Sequence, residues 1–339
     1  MKEFIIGKND AGQRLDRFVS KSVPLLPASL AQKYIRLKRI KVGGKPVKRD
    51  YRLIAGDVVA MYIGDEFLKP ASGKETFNEK PFTGETVVAG ETVAACPPLD
   101  LVYEDENILL VNKEPGVLCH SDSDYDYRSL ISRIHFYLRK KGEWQPQNEN
   151  SFTPALCNRI DRNTSGIVIA AKNAEALRVI NEKIKLREID KHYLAIVHGI
   201  PVKQSGRLEA WLFKDAVKNQ VYVLDKPRPG AKTAVMEYET VASGGRLSLL
   251  ECRLITGRTH QIRAQLAGLG HPLLGDGKYG SERLNKPFGE KHQALCSYKL
   301  EFNFTSDAGP LSYLRCKEFV IHDVPFVKKY FPSVDIQRR

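Results

Sequence analysis

This sequence has no long apolar run, no closely spaced pair of cysteines and no pattern typical of a signal peptide. No stretch approaches the ~20 consecutive apolar residues of a membrane span, and residues 1–8 have neither the apolar run nor the small-residue cleavage site of a signal peptide. We therefore expect a cytoplasmic protein with no membrane partner. The 42% hydrophobic and 27% charged residues argue against a disordered chain, a collagen or a pure coiled coil, and 339 residues predict two domains.

The cysteines and histidines offer no metal-binding pattern. None of the six cysteines forms a CxxC pair, so a zinc knuckle or a thioredoxin-like motif has no support, and we expect reduced thiols. The eight histidines show no HExxH spacing, so no metal site is predicted. The segment Gly275-x-Gly277-x-x-Gly280 matches the dinucleotide fingerprint by letter, but it follows no predicted strand and opens no predicted helix, so we expect a loop.

Positive charge is unevenly distributed along the chain. The sequence has 53 Lys and Arg against 40 Asp and Glu, a net charge of +13. Residues 1–68 carry 14 basic and 7 acidic side chains, so one fifth of the chain holds about half of the excess. A compact domain with this charge is a candidate for binding nucleic-acid phosphates, and a solvated surface that keeps the protein soluble is the alternative.

The first 68 residues predict two short helices and a hairpin. Ser29 is expected to cap the second helix, and Gly43-Gly44 is a natural two-residue hairpin turn. The apolar residues at helical spacing are Leu15, Phe18 and Val19 in the first helix and Leu30, Tyr34 and Leu37 in the second. The pattern resembles the S-four RNA-binding domain. The basic residues that we expect to bind RNA are Arg14, Lys33, Arg36, Lys38, Arg39, Lys41, Lys45 and Lys48.

The rest of the chain divides into a linker, a large domain and a tail. Residues 69–98 are rich in Ser, Thr, Gly, Pro and Glu, which predicts a flexible linker or insertion. Residues 99–331 form the predicted large domain, and residues 332–339 are a tail. Apolar runs predict strands at 101–103, 108–111, 167–171, 192–198, 234–241 and 247–255, with helices starting near Asn173 and Thr259. Strands outnumber helices without βαβ alternation, which favours an α+β fold with a mainly antiparallel sheet.

Two polar stretches are candidates for chemistry. The first, Asn158-Arg159-Ile160-Asp161-Arg162-Asn163-Thr164-Ser165-Gly166, immediately precedes a buried strand. The second, Thr256-Gly257-Arg258-Thr259-His260-Gln261-Ile262-Arg263, spans a strand-to-helix transition. We expect Thr259 to cap the helix, so that free N–H groups and Arg258 face an anion. Arg263 lies one turn further and can reach the same cleft, although a pair of salt-bridged turns with a purely structural role is the alternative.

These two stretches together closely resemble the RluA-type RNA pseudouridine synthase family. Further matches occur in the family's order at Val111-Asn112-Lys113-Glu114-Pro115-Gly116, Lys191-His192-Tyr193-Leu194-Ala195 and Gly270-His271-Pro272-Leu273-Leu274-Gly275-Asp276. The resemblance covers residues 12–68 and 99–320. It implies an S-four-like domain followed by a catalytic domain with a mixed, mainly antiparallel sheet and a central RNA-binding cleft.

The resemblance also implies roles for individual residues. Asp161 matches the family's essential aspartate, and Arg263 matches the arginine that pairs with it. Tyr193 matches the tyrosine that stacks on the target base and is a candidate proton acceptor, and Arg159 matches an arginine at the flipped nucleotide. We expect Arg258, Thr259 and His260 to bind substrate, with His120 and His271 also lining the cleft. Two departures are Asn158, where the family usually has His, and Cys296, in a segment where it often has Leu-His-Ala.

The implied reaction breaks the glycosidic bond of a uridine, rotates the uracil and bonds it again through carbon 5. The uracil accommodates the electrons, so no cofactor is expected, and an aspartate beside an arginine is ionised at neutral pH. Family members with this N-terminal domain most often modify large-subunit ribosomal RNA, which is the expected substrate, and transfer RNA is the alternative. A non-catalytic RNA-binding or ribosome-assembly factor remains a second alternative, and an aspartate-dependent glycoside hydrolase a third. We expect a monomer.

Overall fold

The structure is a computed structural model that describes residues 1–68, 86–88, 91–93, 96–121 and 129–338. The chain divides into two compact units. The first comprises Met1–Pro97, Ile134–Ala155 and Ala171–Arg178, and the second comprises Pro98–Arg133, Leu156–Ala170 and Val179–Arg339. No helix in the described parts of the chain is both long and apolar enough to cross a membrane.

The N-terminal part of the first unit is a small sheet covered by two helices. Its elements are β1 (Lys2–Ile5), α1 (Leu15–Ser22), α2 (Ala28–Arg36), β2 (Ile40–Val42), β3 (Lys45–Pro46) and β4 (Val58–Met61). The four strands are antiparallel neighbours in the order β1-β4-β2-β3. The predicted hairpin is confirmed, because Gly43 and Gly44 have φ angles of 54° and 75°, which a two-residue turn of this kind requires.

The predicted start of the second helix was wrong. Helix α2 begins at Ala28 after Pro27, and no side chain caps it, so Ser29 lies inside the helix. Pro27 ends the preceding segment with its fixed φ and places the helix start two residues earlier than a cap at Ser29 would. The buried pair is Ala31 and Ile35, whereas Leu30 and Tyr34 are partly buried and Leu37 is 52% exposed.

The first unit also contains segments from later in the chain. Asp10 is 1% exposed, and its two carboxylate oxygens accept hydrogen bonds from Ser151 Oγ (2.6 Å) and Asn150 Nδ2 (2.8 Å). Asn9 Oδ1 accepts a further bond from the backbone N–H of Ala174 at 3.1 Å. The predicted boundaries at 68, 98 and 331 remain predictions. Most of the predicted linker lies outside the described residues. In its described part, β5 (Thr86–Val88) and β6 (Glu91–Val93) pair antiparallel.

The second large element of the fold is a mixed sheet of eleven strands. Its strands are β7 (Leu101–Glu104), β8 (Ile108–Lys113), β9 (Ala155–Leu156), β10 (Ser165–Ala171), β11 (Ile189–His198), β12 (Ser205–Asp215), β13 (Gln220–Leu224), β14 (Lys232–Gly244), β15 (Leu247–Leu254), β16 (Leu295–Phe302) and β17 (Glu318–Val320). Nine lie in the order β13-β12-β14-β15-β11-β16-β10-β8-β7, with β17 paired to β16 and β9 to β10. The β10–β16 pair is parallel, whereas the pairs that join the strands from β11 to β16 are antiparallel. This mixed, mainly antiparallel sheet confirms the predicted fold class.

The helices predicted near Asn173 and Thr259 are present beside the larger sheet, together with others that were not predicted. They are α3 (Leu130–Lys140), α4 (Ala174–Leu186), α5 (Gln261–Gly268), α6 (Glu282–Asn285) and α7 (Pro325–Tyr330). Asn173 caps α4, because its Oδ1 accepts a hydrogen bond from the N–H of Ala176 at 2.8 Å. Ile262 and Leu266 on α5 pack against alternate residues of β11, beginning at Tyr193. This packing brings the helix of the second polar stretch beside Tyr193.

Candidate active site

A cleft of about 1320 Å³ in the second unit brings both polar stretches together. Among the described residues that line it, Asp161 is the single carboxylate. The cleft has nine basic side chains: Arg159, Arg162, Lys185, Arg187, Lys191, Lys214, Arg258, Arg263 and Lys278. Such an excess of cations favours a polyanionic ligand. In the described part of the chain, no group of three His, Cys, Asp or Glu residues could hold a metal ion.

Asp161 lies in a turn that leads into β10. The N–H of Thr164 donates to the Asp161 carbonyl at 3.1 Å, and the buried Thr164 hydroxyl accepts from Gln293 Nε2 at 3.1 Å. Gly166 has a φ of 114°, and a Cβ there would lie 2.3 Å from the Ser297 carbonyl oxygen. Only glycine therefore lets the turn enter β10 beside β16.

Arg263 lies between two carboxylates, as a clamp that fixes Asp161. Its Nη1 donates to Asp161 Oδ2 at 2.9 Å, which confirms the predicted pairing. Its Nε and Nη2 donate to the two oxygens of Asp276 at 2.7 and 2.9 Å, and Asp276 is fully buried. Burial alone would lower the pKa of Arg263, but hydrogen bonds to Asp276 and Asp161 raise that pKa above its usual value. The guanidinium is therefore held rigidly and permanently charged.

Lys113 anchors the Asp161 turn from the other side, a role that we did not predict. Its side chain is fully buried, and its Nζ donates to the carbonyls of Glu114 (2.9 Å), Val117 (2.8 Å) and Arg162 (2.9 Å). The ammonium thus uses all three of its hydrogens on backbone oxygens. Burial lowers the pKa of Lys113 to about 8. The signal was present, since Lys113 belongs to a segment that the resemblance picked out, but the sequence did not connect it to Asp161.

Tyr193 faces the cleft from β11 and is 6% exposed. Burial raises the pKa of Tyr193 to about 12, and the charge of Asp161 acts in the same direction. At neutral pH the side chain is therefore a neutral phenol. Its ring can support a base by stacking, and its oxygen can share a proton only through hydrogen bonds.

The second polar stretch is arranged differently from the prediction. Thr259 does not cap α5, because the helix begins at Gln261 and His260 precedes it with a left-handed φ of 50°. The Gln261 side chain instead stabilises the turn before the helix, since its Oε1 accepts from Thr256 Oγ1 (2.8 Å) and from the N–H of Arg258 (3.0 Å). That N–H is consequently not free for an anion. Both Arg258 and Thr259 still line the cleft and are exposed.

His260 also lines the cleft, close to the carboxylate. Its Nε2 lies 3.9 Å from Asp161 Oδ2, and its Nδ1 lies 2.8 Å from the hydroxyl of Tyr279. Burial lowers the pKa of His260, although the charge of Asp161 partly opposes this shift. The imidazole is therefore suited to hydrogen bonding rather than to carrying charge at neutral pH.

The remaining predicted residues divide into those at the cleft and those away from it. Arg159 is exposed on the cleft wall, and His120 also lines the cleft. His271 does not, because its Nδ1 contacts the His198 carbonyl at 2.9 Å, so that prediction was wrong. Asn158, where the family usually has His, accepts a hydrogen bond from the N–H of Ile169 at 2.8 Å. Cys296 is buried in β16, and all six cysteines are free thiols, as predicted.

The predicted RNA-binding residues of the first unit are mostly exposed. Arg14 is partly buried, and it forms an ion pair with Asp16 at 2.5 Å. Lys41 is partly buried, with its Nζ 5.4 Å from the centre of the Tyr62 ring. The exposed members of the set are Lys33, Arg36, Lys38, Arg39, Lys45 and Lys48.

Comparisons with known proteins agree with an RNA-modifying enzyme built from these two parts. Residues 107–268 match the family described as RNA pseudouridylate synthase, and residues 13–59 match the S4 domain, the S-four domain named above. The chain is 34% identical over 306 residues to an uncharacterized RNA pseudouridine synthase of Mycoplasma genitalium, across 88% of each protein. It is 30% identical over 302 residues to ribosomal large subunit pseudouridine synthase C of Vibrio cholerae, across 88% of this chain and 87% of that protein.

The fold is also similar to the solved structure of human RNA pseudouridylate synthase domain containing 1. That match has a TM-score of 0.53 and 20% identity, and it covers 72% of this chain and 89% of that one. The chain belongs to the RNA pseudouridylate synthase family. It is therefore an isomerase that acts on RNA, which rules out the non-catalytic factor and the glycoside hydrolase.

Proposed function

We propose that this enzyme isomerises uridines of large-subunit ribosomal RNA and that Asp161 is its catalytic carboxylate. The observation that supports the role of Asp161 is its isolation: it is the single carboxylate among the described residues of a cleft with nine basic side chains. The ribosomal substrate is supported by relatives named ribosomal large subunit pseudouridine synthase C and D, at 30% and 31% identity.

The geometry of Asp161 suits a carboxylate that must act on a substrate. Arg263 and Asp276 fix one oxygen, Oδ2, whereas no described residue forms a hydrogen bond with Oδ1. The side chain is 25% exposed, so a substrate can approach it. A fixed, ionised carboxylate with one unoccupied oxygen can serve as a nucleophile or stabilise positive charge on the sugar.

The other cleft residues divide the remaining tasks. The target uridine leaves its stack at a cost of a few kcal/mol, which contacts to the RNA backbone must offset. The ring of Tyr193 supports the detached base, and Arg159 on the exposed wall contacts the flipped nucleotide. The substrate is also bound by three residues just before the start of α5, namely Arg258, Thr259 and His260. We also retain the predictions that the enzyme is a monomer, needs no cofactor and works in the cytoplasm.

Pseudouridine mapping of total RNA from a deletion strain tests both parts of the proposal. Large-subunit ribosomal RNA should lose at least one pseudouridine, and a plasmid with the wild-type gene should restore it. A plasmid that encodes Asp161→Asn should not restore it. If a transfer RNA loses pseudouridine while ribosomal RNA is unchanged, the substrate is wrong. If Asp161→Asn restores the modification, the role of Asp161 is wrong.

A further inference from the structure

One wall of the cleft carries three cations that the reaction leaves unexplained. Lys185 lies in the last turn of α4, Arg187 follows the helix, and Lys191 lies on β11. All three line the cleft. Within the described part of the chain, none of the three side chains forms a hydrogen bond or an ion pair. Neighbouring Lys183 behaves differently, because it is buried and pairs with Glu188 at 2.8 Å. The three cations are therefore available to a ligand in the cleft.

The backbone at Arg187 is unfavourable for an arginine. Helix α4 ends in a Schellman motif, in which Arg187 N–H donates to the Ile184 carbonyl (3.2 Å) and Glu188 N–H donates to that of Lys183 (2.9 Å). The residue at the turn takes a left-handed φ of 63°. Glycine usually occupies this position, because a Cβ is disfavoured there. An arginine at such a position favours a role for its side chain, and this side chain lies on the cleft wall.

Lys191 lies close to Tyr193, the residue that we expect to support the target base. Lys191 and Tyr193 both line the cleft and lie two residues apart on β11, about 6.6 Å along the strand. Burial lowers the pKa of Lys191, and Asp190 offsets this only in part. An ammonium that is desolvated and unpaired gains most from an anion that enters the cleft.

The helix end offers an explanation without a ligand for part of this group. Cations near a helix C-terminus interact favourably with its dipole, which would account for Lys185 and Arg187 alone. It does not account for Lys191, which lies on a strand, nor for an arginine in place of glycine. A substrate anion accounts for all three.

We propose that Lys185, Arg187 and Lys191 form a phosphate subsite that binds the RNA backbone beside the target uridine. The ligand is a phosphodiester of a flanking nucleotide, not the base that reacts. This subsite deepens the proposed function and rests on the cleft being where substrate RNA binds. Its contribution is affinity, so its loss should raise the substrate concentration at half-saturation and leave the saturated rate unchanged.

Binding of a fluorescent single-stranded oligouridylate, measured over a range of KCl concentrations, tests the subsite without requiring turnover. Lys191→Met and Arg187→Gly should each weaken binding about tenfold, as expected for one lost charge-assisted hydrogen bond. Each should also lower the slope of log affinity against log salt by roughly 0.7, the value for one phosphate contact to a single strand.

Arg187→Gly separates binding from folding. Glycine favours the left-handed φ, so this variant should unfold at the same or a higher temperature than the wild type. Lys191→Arg keeps the charge and should retain the wild-type salt slope. Lys203→Met is the matched control, because Lys203 is an exposed lysine of the same unit outside the cleft, and its affinity should equal that of the wild type.

Single-turnover kinetics on the RNA substrate complete the test. The two charge-removing variants should need more enzyme for half-saturation but reach the wild-type rate constant. Unchanged salt slopes in both variants, or an equal loss in Lys203→Met, would overturn the subsite. Ribosomal RNA that keeps all its pseudouridines in the deletion strain would instead overturn the proposed substrate, and the salt slopes would still stand.

Discussion

The two carboxylates that bind Arg263 have different tasks. Asp276 is fully buried and accepts two hydrogen bonds from the guanidinium, together with the N–H groups of Lys278 (2.9 Å) and Tyr279 (3.1 Å). Burial alone would raise the pKa of Asp276, but Arg263 and these amides lower it. Asp161 accepts one bond and stays partly exposed. Asp276 therefore positions Arg263, and Arg263 positions the reactive carboxylate.

Asp276→Asn should consequently reduce both stability and turnover. The substitution removes one of the two carboxylates that pair with the buried guanidinium, and breaking a buried pair typically costs about 3–5 kcal/mol of the free energy of unfolding. The loosened Arg263 should lower kcat by about 100-fold, because misplacing a catalytic group by about 1 Å has an effect of that size. Chemical denaturation and single-turnover kinetics measure the two effects.

A surface pair provides the control for this prediction. Asp323 bonds to Lys328 at 3.0 Å with both side chains largely exposed, so Asp323→Asn should change the free energy of unfolding by less than about 1 kcal/mol. Equal stability losses in the two variants would show that Asp276 is not a buried anchor. Normal kcat in Asp276→Asn would show that Arg263 needs no positioning.

The roles of single residues could be predicted from the sequence only where the residues belong to motifs of a known family. Asp161, Tyr193 and Arg263 converge as the resemblance implied. Asp276 was not predicted, because it belongs to a glycine-rich loop and its bond to Arg263 depends on how that loop packs against α5. Arg187 gave no signal either, since a left-handed φ can be seen only in the structure.

At the scale of elements, apolar periodicity predicted six of the eleven strands of the larger sheet, but it missed β12, β16 and α3 and did not predict where elements end. Strands such as β8 and β10 are runs of buried apolar residues, which any fold of this class would place in a sheet. The capping predictions at Ser29 and Thr259 were wrong because Pro27 and the Gln261 side chain organise those turns. Such choices depend on hydrogen bonds between neighbours that residue preferences do not resolve.

Lys113 connects the end of β8 to the Asp161 turn, so Lys113→Met should impair chemistry more than binding. Methionine keeps the length of the side chain but removes the ammonium that donates to three backbone carbonyls, at a cost of about 3 kcal/mol. The Arg162 carbonyl keeps one donor, the N–H of Gly116 at 2.9 Å. We expect kcat to fall, because the turn is no longer fixed, while RNA affinity stays within about twofold of the wild type. Filter binding and single-turnover assays on the same preparation measure this. A variant with wild-type kcat would mean that the turn does not need the anchor.

At the scale of the whole molecule, basic side chains are concentrated on the N-terminal part of the first unit and in the cleft. Helix α2 and the β2–β3 hairpin have exposed lysines and arginines but no group of residues arranged for catalysis. The cleft has cations of its own. Composition alone predicted the first of these concentrations, because the excess in residues 1–68 is visible without a structure. The inclusion of residues 134–155 in the first unit could not be predicted, since it depends on the buried bonds of Asp10.

Deletion of residues 1–68 would remove Asp10 and break its hydrogen bonds to Asn150 and Ser151. Removing charge without deleting the segment is therefore the better test of the first unit. Replacing four exposed residues with Gln should weaken RNA binding, flatten its salt dependence by roughly 0.7 per lost contact and leave the saturated rate unchanged. These residues are Lys33, Arg36, Lys45 and Lys48.

The matched control removes four exposed lysines outside both the cleft and this surface. They are Lys203, Lys286, Lys291 and Lys317. The two fourfold variants have the same net charge, so a difference between their salt slopes reports location rather than total charge. Identical slopes would mean that the basic surface of the first unit does not contact RNA.

The central claim is that Asp161 performs the chemistry, and Asp161→Asn tests it most directly. Pseudouridine formation, RNA affinity and the free energy of unfolding are measured on one preparation. Turnover should fall below detection, while RNA binding persists or tightens because a negative charge has left the cleft. Stability should fall by less than about 2 kcal/mol, since Arg263 keeps its two bonds to Asp276. A folded Asp161→Asn enzyme that still forms pseudouridine would contradict the account.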